Sequence, residues 1–319
     1  MMRDFKSLFS IGFAAALLIF IGLMAPALAE SGVRKASQIA ELLKSSDSAI
    51  DFAEAKLAID KIVDPSIDRD AARAELDQLT AASRVLAGPQ PTSAQKIAAV
   101  RKVIYEPGPW NRNRPFSYDR ADPLGRDSRN KLISTYLQTR KGNCVSMPAL
   151  FLILADRLGA DVTLSSAPLH IFVKWTDEAG RVTNLETTSG AHPARDVWIR
   201  QQEPFTDEAV ANGVYLQKMS RLEAVAHLAT VAVDREIDDG DYESAVSTAE
   251  AILEINPRDV YAMVKAGDAY GHLLRTRFYE VYPTPADIPA DEVAAYRYSA
   301  KMNAEMFERA EALGWRPVQ

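Results

Sequence analysis

The chain of 319 residues contains a single cysteine, and its thiol is the first candidate for chemistry. Cys144 stands in "KGNCVSMPALFLILADRLG", directly before an apolar run. Unsatisfied N–H groups and the dipole at the start of a helix stabilise negative charge, and therefore favour the nucleophilic thiolate. The same N–H groups can hold an oxyanion during acyl transfer. Because a free cysteine is often only a small buried hydrophobic residue, catalysis is predicted only if partners lie nearby.

A thiol nucleophile needs a base, and the base needs an orienting group. His170 heads the strand-like run "HIFVKW", while Asn184 and Glu186 share one face of the next run, "RVTNLET". A hairpin link of odd offset, with Gly180 as a left-handed bulge, places His170 directly opposite Glu186. Asn184 then stands opposite Phe172. A plain even loop would turn Glu186 away, but the glycine that ends the link "TDEAG" favours the bulged form.

The sequence therefore predicts a catalytic set of Cys144, His170 and Glu186, with Asn184 as the competing third member. His192 is a second candidate base, but it follows the turn "SGAHP" rather than lying in a strand. A metal site formed by His170, Glu186 and His192 is not favoured, because no closely spaced histidine pair supports it. The sequence predicts no cofactor and no metal.

The predicted helix that begins at Cys144 has no polar face. Residues 145–158 are apolar nearly all round, which is typical of a buried helix, and they are too few to span a membrane. Pro148 falls in the first turn, where proline is tolerated, and Gly159 ends the helix. Three strand-like runs follow, "DVTLSSA", "HIFVKW" and "RVTNLET", and predict a small sheet.

Helical patterns flank this centre on both sides. Residues 36–85 and 94–105 show apolar spacings of three and four, whereas residues 106–130 are irregular and of a length typical of functional loops. After about residue 205 the helical period returns, with two antiparallel helices, the start of a third, and a final helix over about 290–313. This tail resembles about one and a half tetratricopeptide units. Its His227 and His272 are interpreted as packing residues.

Composition and net charge limit the classes of molecule that the protein is expected to bind. Hydrophobic residues make up 47% and charged residues 25%, which is typical of a globular chain. The formal net charge of -6 argues against a nucleic-acid partner, because phosphate binding needs a basic face.

The first 29 residues have the layout of a secretory signal peptide: a basic start, an apolar stretch and an Ala-x-Ala end. Cleavage predicts a periplasmic or secreted protein. The alternative is an uncleaved segment that anchors the chain to a membrane.

Three stretches together resemble a known family. "RKGNCVSMPALFLILADRLGADV", "PLHIFVKW" and "NLETTSG" are similar to the bacterial transglutaminase-like family of SirB type, and the resemblance covers about residues 47–275. It implies an α+β fold with a papain-like core, in which a helix carrying the cysteine packs on an antiparallel sheet carrying the histidine and an acid. It implies Cys144 as nucleophile, His170 as base, and Glu186 or Asn184 as the orienting residue.

From these features we predict four parts: a signal peptide (1–29), an N-terminal helical region (30–92), a transglutaminase-like core (93–205) and a tetratricopeptide-like helical domain (206–319). The predicted function is an exported thiol enzyme that hydrolyses an amide of a peptide or protein, or transfers its acyl group. The alternative is a non-catalytic module that binds a peptide or protein partner through the helical tail.

Overall fold

A computed structural model describes residues 34–123 and 125–317. The predicted signal peptide lies outside the described residues. Four helices open the described chain: α1, which ends at residue 42, α2 (Phe52–Val63), α3 (Arg69–Ala87) and α4 (Ser93–Tyr105). The side chains of Asp51, Asp68 and Thr92 accept hydrogen bonds from backbone N–H groups in the first turns of α2, α3 and α4. These caps explain where each helix begins.

The irregular segment 106–130 leads into the stretch that precedes Cys144. Its strand β1 (Ser117–Tyr118) pairs in parallel with β2 (Lys141–Gly142). The short helix α5 (Ile133–Thr139) lies between the two strands in sequence. The segment therefore holds the backbone just before the thiol.

Helix α6 (Ser146–Arg157) is the centre of the core. Residues 146–155 are buried on every side, which confirms the prediction of a helix without a polar face. It packs against α3, α4 and α5, and against strands β3 (Asp161–Ala167) and β4 (His170–Thr176). Burial of so many aliphatic side chains makes α6 a rigid base for the residue at its start.

The sheet is antiparallel, in the order β3-β4-β5-β6. The strands β3, β4 and β5 (Val182–Glu186) match the three runs predicted from the sequence, and β6 (His192–Ala194) is a short addition. Together with the helices, this sheet confirms the predicted α+β class.

The hairpin register differs from the predicted one by two residues. Thr176 pairs with Val182 and Lys174 with Asn184, so the same register sets Phe172, not His170, across from Glu186. The predicted pairings of His170 with Glu186 and of Asn184 with Phe172 are therefore wrong.

The cause of the difference is the length of the turn. The Asp177 N–H donates to the Arg181 carbonyl, which leaves a loop of three residues, 178–180. Gly180 has φ of +77°, as predicted for a left-handed bulge. Because side chains alternate along a strand, a shift of two residues still leaves His170 and Glu186 on one face, as diagonal neighbours.

The remaining chain is helical. The helices are α7 (Asp196–Gln202), α8 (Asp207–Ala211), α9 (Arg221–Asp238), α10 (Tyr242–Ile255), α11 (Val260–Leu274) and α12 (Val293–Ala312). Helices α9 to α12 each pack on the next, and the short connections from α9 to α11 make neighbours antiparallel. Hence α9 and α11 run in the same direction. The likeness of this tail to tetratricopeptide units stays a prediction, as do the domain boundaries.

The segment before α9 continues the sheet beyond β3. The Leu216 and Met219 N–H groups donate to the Ser166 and Leu164 carbonyls at 3.1 and 3.0 Å, and the Thr163 hydroxyl donates to the Met219 carbonyl at 2.6 Å. This backbone pairing covers the outer side of β3.

Buried charges join the helical tail to the core. Asp234 of α9 accepts from Lys131 at 2.6 Å, from Lys265 of α11 at 2.9 Å and from the Tyr261 hydroxyl at 2.9 Å. Because Lys131 precedes α5 in the core, this cluster connects two predicted domains in one polar network.

A second buried ion pair lies inside the core. Lys56 and Asp60 of α2 are hydrogen-bonded and fully buried, and Asp60 also accepts the Ile133 and Ser134 N–H groups at the start of α5. Burial raises the pKa of Asp60, against the opposing effect of Lys56. The pair therefore fixes α5, which leads to the cysteine segment.

Within the described part of the chain, no helix combines the length and the apolar character needed to cross a membrane.

Candidate active site

Cys144 lies in the turn that leads into α6, two residues before Ser146, where the helix begins. The side chain of Asn143 accepts hydrogen bonds from the Val145 and Ser146 N–H groups at 2.9 and 3.2 Å, and its carbonyl accepts the Met147 N–H at 3.0 Å. In return, the Asn143 N–H donates to the Ser146 hydroxyl at 3.1 Å. This reciprocal arrangement resembles a capping box, and it fixes the turn that carries Cys144 at the start of α6.

The backbone N–H of Cys144 is a free hydrogen-bond donor. Among residues 34–123 and 125–317, no protein acceptor receives the Cys144 N–H. Gly142 allows tight packing behind it, since a Cβ there would lie 2.5 Å from the Ser146 hydroxyl and 2.7 Å from the Tyr136 ring. The position therefore presents a half-buried thiol and an unused N–H at the positive end of a helix.

The thiol donates to the carbonyl of Leu169, with Sγ 3.5 Å from that oxygen. Leu169 lies in the two-residue turn between β3 and β4, and its φ is +53°. Left-handed backbone is unfavourable for a branched residue, and the Leu169 side chain is 58% exposed. A strained turn thus stands at the mouth of the site.

His170 begins β4 directly after that turn, and its ring is held by Glu186. The His170 Nε2 lies 2.8 Å from the Glu186 carboxylate. The side chain of His170 is 13% exposed and that of Glu186 is 4% exposed. A carboxylate can only accept, so Nε2 must carry the proton. In the neutral ring Nδ1 is then the free basic atom, which is the state that a general base requires.

The charged form of His170 is strongly favoured. Burial opposes the charge, but interactions with a thiolate at Cys144 and with the Glu186 carboxylate outweigh it and raise the pKa of His170 to about 10. The largest of the effects that raise this pKa is a side-chain hydrogen bond with Cys144, although the thiol in the structure donates to the Leu169 carbonyl. Cys144 and His170 are therefore close enough to interact.

Glu186 is fixed through its second oxygen. Oε1 accepts the Thr188 N–H at 3.0 Å and the Thr188 hydroxyl at 2.7 Å. Burial opposes the charge on Glu186, but the bonds from His170 and Thr188 outweigh it and hold its pKa below the usual range. Behind the strand end, Tyr105 donates to the Thr187 carbonyl at 2.9 Å. The carboxylate is thus ionised and has no freedom to turn away from the ring.

Asn184 does not contact His170. It accepts from Lys174 at 2.8 Å and donates to the Ala194 carbonyl and to Asp196 at 3.1 and 2.6 Å. It lies on the same face as Glu186 but one pleat further along the strand, so its role is to hold the sheet to α7.

The other histidines lie apart from the thiol–imidazole pair. His192 is exposed and contacts Arg101 at 2.9 Å, although it pairs with Glu186 in the sheet register. His272 stacks on Tyr242 with ring centroids 4.7 Å apart, as expected for a packing residue. No group of three or more metal-ligating side chains occurs among the described residues.

A cleft of about 660 Å³ opens from the thiol. One side belongs to the core, with Cys144, Leu169 and His170, and the other to the tail helices α9 and α11. Tyr261, Val264 and Lys265 of α11 line this cleft together with Cys144. The tail therefore forms part of the site.

Several residues that shape the site were not among the predicted ones. Asn143 and Thr188 are local, and both had a signal in the sequence: a capping residue beside the cysteine, and a hydroxyl two residues after the acid. Leu169 had none, because its type does not predict left-handed backbone.

Comparison with known proteins gives one match. A family model described as the transglutaminase-like superfamily matches residues 70–230, just over half of the chain. The matched region begins within α3, contains Cys144, His170 and Glu186, and ends within α9. No curated protein and no solved structure matches the chain.

Proposed function

The chain belongs to the transglutaminase-like superfamily, and from this premise we propose that it is a thiol enzyme acting on amides of peptides or proteins. Cys144 is the nucleophile, His170 the base and Glu186 the residue that orients the base. The observation that carries the proposal is the 2.8 Å contact of His170 Nε2 with Glu186, which leaves Nδ1 free in the cleft that also holds the thiol.

The reaction divides into two acyl transfers. His170 Nδ1 takes the proton of Cys144, and the thiolate forms a bond to the substrate carbonyl carbon. The carbonyl oxygen becomes an oxyanion next to the free Cys144 N–H. As the C–N bond breaks, His170 gives the proton to the leaving amine, and a thioester remains. Water or a second amine then loses a proton to His170, attacks the thioester and releases the thiol.

The bond from the thiol to Leu169 can form only while the sulfur carries its proton. A carbonyl oxygen can accept an S–H but repels a thiolate, so this contact must break before attack. Deprotonation by His170 removes the donor and frees the sulfur toward the substrate. The thiolate–imidazolium pair, which the raised pKa of His170 favours, is the state that attacks the carbonyl.

We further propose that the enzyme is exported, on the basis of the predicted signal peptide, and that the resemblance to the SirB-type family extends to its function. Hydrolysis and transfer remain alternatives within the proposal, since both start from the same thioester.

The test is release of a fluorescent amine from a panel of acyl-peptide aminocoumarin amides, with and without an added primary amine. Wild-type protein should release it, whereas Cys144→Ala and His170→Ala should not; new amide formed with the added amine would identify transfer. If the wild type is inactive on every substrate and its thiol is alkylated only with an ordinary titration near about 8.5, the enzyme proposal fails. Binding of a protein partner that survives Cys144→Ala would then favour the non-catalytic alternative.

A further inference from the structure

The tail side of the cleft carries a histidine that the proposed mechanism does not use. His227 of α9 lines the same cleft as Cys144 and His170, although its side chain is only 9% exposed. Its Nδ1 lies 2.6 Å from Asp259, at the start of α11. Across the described residues, no acceptor lies within hydrogen-bonding distance of its Nε2.

The partner of His227 is fully engaged. Asp259 accepts the ring at one oxygen and the Ala262 N–H at the other, at 3.0 Å. Burial opposes the charge on His227, but Asp259 outweighs it and raises the pKa of the ring. The pairing with Asp259 therefore favours the protonated ring, in which Nε2–H is a donor with no partner among the described residues, on a residue that lines the cleft. Asp259 cannot turn to neutralise a second cation.

Arg258 gives the same end of the cleft a second positive charge. Its guanidinium borders the cleft and is 51% exposed, and its ion pair with Glu223 is long, at 3.7 Å. The nearest carboxylate further along α9, Asp234, is already bound by two lysines and a tyrosine. At the N-terminal ends of α9 and α11, Arg258 therefore has only one carboxylate partner, held at long distance, and its exposed guanidinium can bind a further anion.

The opposite end of the cleft is acidic. Asp238 and Asp268 line it and form no ion pair within the described part of the chain. Asp238 follows His227 by eleven residues of one helix, which is about 16 Å along the axis. Because α9 and α11 are parallel, both helices have their positive and negative groups at the same ends. Apolar side chains, including Val231 and Val264, lie between them.

We propose that His227 and Arg258 form a subsite for a carboxylate of the substrate, which makes the preferred substrates short peptides or acylated amino acids with a free carboxyl end. The inference rests on the proposed function. An extended peptide spans about 3.3–3.6 Å per residue, so the number of residues between the reacting carbonyl and the carboxylate is limited by the cleft.

The test uses N-chloroacetyl peptides of one to four alanines, each as free acid and as carboxamide, with the full chain. Cys144 displaces chloride and forms a thioether, so the rate of labelling reports how well each peptide is held. We expect one length at which the acid labels at least about fivefold faster than the amide, although the net charge of the protein opposes anions.

Variants separate the subsite from other effects. His227→Gln and Arg258→Gln should each reduce the preference for the acid, whereas the matched control His192→Gln, outside the cleft, should keep it. Since Arg258 is half exposed, its variant should fold normally even if the buried His227 variant loses stability. A purely structural role of His227 would lower the melting temperature without changing the ratio of acid to amide.

Two outcomes would overturn the inference in different ways. If Cys144 reacts readily but the ratio is the same at every length and in every variant, there is no carboxylate subsite and the proposed function stands. If Cys144 reacts with none of the peptides faster than free cysteine does, the proposed function itself fails, and the subsite with it.

Discussion

Replacing Glu186 with glutamine removes the charge that orients His170 while keeping the shape of the side chain. The amide oxygen can still accept from Thr188, as Oε1 does now at 2.7 and 3.0 Å. The amide nitrogen then faces His170 Nε2, and two donors cannot share that contact. The neutral ring must therefore move its proton to Nδ1, the atom that has to accept the proton of the thiol.

The size of the effect follows from the lost charged hydrogen bond. Such a bond contributes about 1.5–3 kcal/mol, and one unit of pKa corresponds to about 1.4 kcal/mol. The pKa of His170, raised to about 10 by its partners, should fall by roughly one to two units. The ratio of thiolate–imidazolium to thiol–imidazole should fall by about 10–100-fold, and turnover by about 10²–10⁴-fold because the tautomer is also wrong.

The assay is titration of the His170 ring by NMR, together with turnover. The matched control is Glu203→Gln, a nearby acid that forms no hydrogen bond with His170 and should leave both quantities nearly unchanged. A raised pKa stabilises the folded state below the ordinary value of about 6.5, and this stability is lost as the pH rises toward 10. In Glu186→Gln the loss should be smaller and should be complete at a lower pH. An unchanged midpoint in a folded Glu186→Gln protein would refute the assigned role.

Three further predictions concern the framework of the site. Asn143→Ala removes the cap of α6 and should cost about 1 kcal/mol in urea unfolding and slow alkylation of Cys144; no change in either would contradict the capping role. Leu169→Gly should be at least as stable as Leu169→Ala, because only glycine is free of strain at this φ; a clearly less stable glycine variant would show that the turn is unstrained. Lys56→Met leaves Asp60 buried and unpaired and should cost about 3–5 kcal/mol in urea unfolding. That loss should shrink at lower pH, since the folded state then protonates Asp60, and a constant loss would argue against the charge as its cause.

The sequence predicted the parts of the site that depend on local rules. An apolar run and a closing glycine define α6 almost to the residue. The alternation of side chains in β4 and β5 predicted that His170 and Glu186 share a face. Because alternation repeats every two residues, it could not distinguish the predicted register from the observed one, which depends on how many residues the turn contains.

The cleft could not be predicted, because it depends on packing between distant segments. His227 appeared to be only a packing residue, since nothing in α9 indicates that α11 delivers Asp259 to its ring. The same holds for Lys131 and Asp234, which are more than one hundred residues apart and meet at 2.6 Å. Such contacts follow from the arrangement of whole helices rather than from any short motif.

The backbone pairing of residues 216–219 with β3 limits how a polypeptide can approach the enzyme. Many proteins that act on peptides take them up as an additional strand at an open sheet edge, where main-chain hydrogen bonds supply sequence-independent affinity. Here that edge is already occupied by the chain itself. A polypeptide therefore cannot add as a strand beside β3, and in the cleft next to the thiol side chains do most of the recognition, so selectivity among sequences is expected to be high and general proteolysis low.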